Sequence, residues 1–97
     1  MAIDFGKAHY IWERAIRDDE TLTDGEVKEA LKWFDEFCSR LSDKASQSEQ
    51  IYQESVKLQE NEELKEEKWK VAESDRRQLY VFIKRHDDLV SWHNAHQ

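Results

Sequence analysis

At 97 residues the chain has room for one domain, spanning 1–97, with a modest core that buries ~60–70% of the surface its unfolded form exposes. Charged residues make up 38%, yet four Trp, four Phe and three Tyr exclude a disordered chain. No proline and two glycines (Gly6, Gly25) exclude a turn-rich sheet protein, and a net charge of −7 disfavours DNA and anionic membranes as partners while suiting a basic protein surface.

The first element is a helix opening at Asp4, whose carboxylate suits an N-cap. Phe5, Ala8, Trp12, Ala15 and Ile16 then recur at three- and four-residue steps and give it one apolar face. Arg17-Asp18-Asp19-Glu20 ends it, because acids sit unfavourably at a helix C-terminus. The opening residues show no basic n-region followed by an apolar stretch, so no signal peptide is expected.

Thr23 and Glu26 have the spacing of a capping box and start the second helix. Val27, Leu31, Phe34, Cys38, Leu41 and Ala45 follow in 4-3-4-3-4 steps, a heptad seam. The seam continues weakly through Ser48 and Tyr52, with Ile51, Val56 and Leu58 nearby. The last third is densest at Leu79, Phe82, Ile83, His86, Leu89, Val90 and His93. Its longest apolar run, Leu79 to Ile83, is too short to span a bilayer. A cytoplasmic protein is expected.

Residues 46–78 are poor in apolar side chains, and two architectures fit them. In the favoured one, a short N-terminal helix precedes a long antiparallel hairpin turning near Asn61. Reflection about that position sets Phe34 against Asp88 and its neighbour Leu89, Leu41 against Val81 and Phe82, Ile51 against Val71, and Leu58 against Leu64. The alternative is a compact four-helix bundle with a break over 42–48, where Ser46 to Glu49 reads as a second capping box. The Glu- and Lys-rich stretch from Lys57 to Lys70 is expected to be the least stable part, or to be held by a partner.

Little points to catalysis. His86, His93 and His96 fall on one strip of the last helix, but His86 and His93 belong to its apolar series and read better as core-edge residues than as metal ligands. The hairpin brings Cys38 near His86, with no third group to orient the pair. Phosphate-loop, dinucleotide-binding and di-iron patterns are missing from the sequence. No enzyme activity, cofactor or metal is expected.

Surface residues carry the functional expectation. Asp18, Asp19, Glu20, Asp24 and Glu29 head a run of acids that also includes Glu26, Asp35 and Glu36. Trp33 lies off the seam, where the first helix and its Trp12 can cover it; Trp69 stands in a charged arm with little to bury it. Exposed Trp beside acids is a hot-spot composition. Asp18, Asp19, Glu20, Asp24, Glu29, Trp33 and Trp69 are therefore the expected contacts with a basic protein partner. Lys70, Arg77 and Lys84 step by seven, flanked by Arg76 and Arg85, but interleaved acids argue for pairing with the second helix or a second copy rather than nucleic acid. The first reading is an inhibitor or modulator of a larger, basic, nucleic-acid-handling complex, similar in type to phage-encoded or mobile-element effectors. The second is a self-associating helical scaffold, with a homodimer as the partner.

Overall fold

The computed structural model describes residues 3–96. The protein is all-α: a short α1 (Phe5–Ile16) precedes two long helices, α2 (Asp24–Lys57) and α3 (Glu62–Ala95). Helix α2 runs unbroken through Ser42 to Ser48, so the second capping box does not form and the hairpin is the architecture adopted. Ser48 is instead a buried residue in mid-helix.

Each helix start uses the cap that its sequence offers. The Asp4 carboxylate accepts from the Lys7 N–H at 2.8 Å. At Thr23 the box is reciprocal: the Glu26 N–H donates to the Thr23 hydroxyl, and the Thr23 N–H donates to the Glu26 carboxylate, both at 3.2 Å. Asn61 caps α3, accepting from the Leu64 N–H at 2.9 Å.

The helix ends are less conventional. After α1, Asp18 takes φ 55°, its N–H donating to the Ala15 carbonyl while Asp19 N–H donates to that of Arg14. After α2, Gln59 takes φ 52°, with Gln59 bonded to Val56 and Glu60 to Ser55. Both are Schellman closures, made without the glycine that usually supplies the left-handed residue.

The chain divides into two compact units. The first contains α1, α2 as far as Cys38, and α3 from Phe82 onward. Its core is apolar: Ala8, Ile11, Leu22, Val27, Ala30, Phe34, Phe82, Leu89 and Trp92 are buried. On α1 the buried face runs through Ala8 and Ile11, whereas Phe5 and Ile16 are about half exposed; Ile11, which the three-four spacing from Phe5 passes over, is the residue that anchors the helix. Phe5 meets Trp33 and Phe82, and Trp33 stacks on Phe37 with ring centroids 4.8 Å apart.

The second unit, residues 39–81, pairs the C-terminal part of α2 with the N-terminal part of α3. The heptad seam persists through Leu41, Ser48 and Ser55 on α2 and through Ala72 and Asp75 on α3, all buried. Its interior is thus largely polar. The Ser48 hydroxyl donates to the Asp75 carboxylate, and Lys44 Nζ lies 3.3 Å from the same group. Among the described residues no helix is long and apolar enough to cross a membrane.

Candidate functional site

Four of the seven expected contact residues converge. Asp18, Asp19, Glu20 and Asp24 line an open depression of about 460 Å³ in the first unit, together with Leu22, Trp92 and His96. The closure that ends α1 positions them: the left-handed turn at Asp18 reverses the chain, and buried Leu22 pins the loop before α2 begins.

The four carboxylates have different duties. Asp19 accepts from the Thr21 hydroxyl and N–H and pairs with Arg14 at 3.1 Å. Those bonds, from Thr21 first and then Arg14, hold its carboxyl below the usual range. Arg14 also reaches Glu26 at 2.8 Å, so one guanidinium ties the end of α1 to the start of α2. Asp24 lies 3.1 Å from Lys28 Nζ and 2.7 Å from His93 Nδ1. Lys28 foremost, with His93 after it, lowers the Asp24 carboxyl against the opposing effect of burial. Asp18 and Glu20 are exposed, and no Lys or Arg pairs with either among the described residues. Among the described residues Asp18 has His96, at 3.7 Å. The fold therefore uses Asp19 and Asp24 and leaves Asp18 and Glu20 available.

Trp92 lines the same depression with 8% of its surface exposed, and His96 stacks on its ring at 4.1 Å. Its indole N–H is buried and meets no acceptor among the described residues. Trp92 is expected from the sequence at the open end of the hairpin with Trp33 and Phe37, not among the contact residues; its place beside the acids depends on the C-terminal turns of α3 returning to the α1–α2 loop.

The other three expected contacts lie elsewhere. Trp33 is partly buried among Phe5, Phe34 and Phe37 and acts as a packing residue. Glu29 is exposed on the outer face of α2 and does not line the depression. Trp69 is 47% exposed in the second unit, where it lines a separate hollow with Tyr52, Val56 and Lys65.

The histidine strip is dispersed among carboxylates. His86 Nε2 is 2.9 Å from Asp35, His93 pairs with Asp24, and His96 turns toward Asp18. Among the described residues no group of three or more His, Cys, Asp or Glu is disposed to hold a metal ion. Burial, then Asp35 and Asp87, push the Cys38 thiol up, which keeps it protonated and a poor nucleophile. The basic stripe pairs mostly within its own helix: Lys70 with Glu66, Arg77 with Glu73, Lys84 with Asp88. Among the described residues, Arg76 is the one member of the stripe that makes a salt bridge to α2, at Glu49. Set against protein-family models, curated proteins and solved structures, the chain finds no match in any of the three.

Proposed function

We propose that the protein is a small non-enzymatic binding protein that docks the α1–α2 loop onto the basic surface of a protein partner and modulates it by occupying that surface. The observation that supports this reading is the depression itself. Four carboxylates surround an opening floored by buried Leu22 and Trp92 and edged by His96, a concentration of negative charge suited to a Lys or Arg side chain. The charge distribution agrees with it: residues 39–81 carry ten acids and eight bases, net −2, and the rest of the chain holds the remaining −5 of the total −7. A surface that accepts such a loop is one that would otherwise take a polyanion, which is why a nucleic-acid-handling partner fits best.

The division of labour among the carboxylates chooses the test. Asp18→Asn combined with Glu20→Lys removes the two available charges and leaves the Arg14 and His93 pairs in place. Tagged wild-type protein should retain a stoichiometric partner from lysate at low salt and release it at about 0.5 M salt, where screening shortens the reach of exposed charges. The double variant should retain none while melting like wild type. Undiminished capture by the variant overturns the reading.

A further inference from the structure

The second unit carries more large apolar side chains outside than inside. Leu41 is its one large buried apolar residue, whereas Ile51, Leu58, Leu64 and Val71 are 51%, 74%, 40% and 54% exposed. These four share one place in the heptad. With Val27, Phe34, Leu41, Ser48 and Ser55 as d positions of α2, Ile51 and Leu58 are g positions. With Asp75, Phe82 and Leu89 as d positions of α3, Leu64 and Val71 are g positions as well. In an antiparallel pair the g positions of both helices flank the same side of the seam. Accordingly Ile51 and Val71 line one hollow of about 240 Å³, with Ser48, Glu67 and Lys68.

The first unit shows what that flank requires. Its g positions are Ala30, Phe37, Arg85 and Trp92, and there a third helix, α1, packs on the pair: His9 and Trp12 meet Arg85, and Phe5 meets Trp33 and Phe82. The second unit has the same register and no third helix. Two helices around a polar seam have little apolar burial of their own, here Leu41 and Ala72.

We propose that a second copy of this chain covers the flank formed by Ile51, Leu58, Leu64 and Val71, so that two second units assemble into a four-helix bundle. The patch is self-complementary under a two-fold axis: apolar residues from one copy meet the same residues of the other. Charge favours this pairing too. The second unit is close to neutral with both signs interspersed, so two copies meet there without the repulsion that the acidic first units would bring. Area is sufficient: two helices of about 19 residues present a face roughly 30 Å by 20 Å, or about 1,200 Å² over both copies, above the ~1,000 Å² of a specific interface. This inference concerns the second unit and stands independently of the acidic loop.

Sedimentation equilibrium over a wide concentration range, with melting curves at the same concentrations, tests it. Wild type should approach the mass of a dimer, and its Tm should rise with concentration. Ile51→Glu with Val71→Glu places charge at two exposed positions, so each chain keeps its helices by circular dichroism. Association should weaken about a hundredfold or more as four carboxylates are forced into one interface. Trp69→Ala, on the opposite flank, should leave the dimer intact. A wild-type chain that stays monomeric at every concentration overturns the proposal. A dimer that survives the double glutamate variant, or that Trp69→Ala disperses, overturns it equally by assigning the contact to another face.

Discussion

The indole N–H of Trp12 donates to the Asp88 carboxylate at 3.0 Å, joining α1 to the last turns of α3 across 76 residues of sequence. The same indole carries the Arg85 guanidinium 4.6 Å from its ring, so one side chain of α1 meets an anion at its edge and a cation over its face. Burial raises the Asp88 carboxyl, but the bonds from Lys84 and Trp12 outweigh it and the group rests below its ordinary value. Trp12→Phe keeps a ring for Arg85 and deletes the donor. It should cost about 1–2 kcal/mol in urea unfolding, the range for a hydrogen bond to a charged group with some exposure. In an Asp88→Ala background, which has no acceptor, the same substitution should cost clearly less, and equal costs in the two backgrounds would show that the bond contributes nothing.

A second prediction concerns the polar seam. Asp75 is buried, and the Ser48 hydroxyl first and Lys44 second hold its carboxyl down against burial. Ser48→Ala strands part of that carboxylate and should destabilise the protein by about 2 kcal/mol. Replacing both partners, Ser48→Ala with Asp75→Leu, should recover the loss or better it, because an apolar pair needs no desolvation of charge. Acidity supplies a further readout. A carboxyl whose folded pKa is depressed contributes stability that is present above its unfolded value, about 3.9, and is lost as pH falls through the folded value. Asp75→Asn should therefore flatten the fall in stability below about pH 4. Glu26, Glu60 and Asp88 are shifted the same way, so a residual slope should remain. An unchanged slope in Asp75→Asn would remove Asp75 from the acid response.

Much of the fold could be read from local signals. Asp4 and the Thr23–Glu26 box start their helices as their spacing implies, and reflection about Asn61 comes within one residue of the observed pair of Asp35 with His86 and within three of that of Glu49 with Arg76. Ser46 to Glu49 misled for a physical reason. A capping box stabilises a helix start only if the chain is free to break there, and the buried Ser48–Asp75 contact holds it helical. Of the candidate site, sequence gave the acids but not their duties. The Lys28 partner of Asp24 lies one turn on, and its spacing shows it. The contacts of Asp24 with His93 and of Asp19 with Arg14 depend on how the chain folds back, and no spacing rule reveals that Asp18 and Glu20 lack a Lys or Arg partner among the described residues. Trp33 and Trp69 already differ in their sequence setting, one off the seam within reach of the first helix and the other in a charged arm. In the structure Trp33 meets Phe5 of α1 and Phe37, whereas Trp69 faces a hollow.

Cys38 offers a third check, on chemistry. Burial and the neighbouring Asp35 and Asp87 raise the thiol, so iodoacetamide should modify it more slowly than a free cysteine at pH 8. Asp35→Asn removes one of the two charges, and the rate should rise. A rate that matches or exceeds free cysteine would contradict the environment described and reopen a nucleophilic role for the thiol.

The two glycine-free closures permit a prediction with opposite consequences at two sites. Asp18 and Gln59 hold φ near +55°, a conformation that costs a non-glycine residue about 1 kcal/mol and costs glycine almost nothing. Gln59→Gly should raise stability by about that amount in thermal or urea unfolding, since its side chain is exposed and has no partner among the described residues. Asp18→Gly should stabilise the end of α1 similarly while removing one of the two carboxylates left over at the depression. If the acidic loop binds a cationic surface, Asp18→Gly should give a more stable protein that holds its partner less well, whereas Gln59→Gly should be as stable and bind normally. Equal binding by both would mean that the strained aspartate has no part in recognition, and its place in a turn that favours glycine would then need another cause.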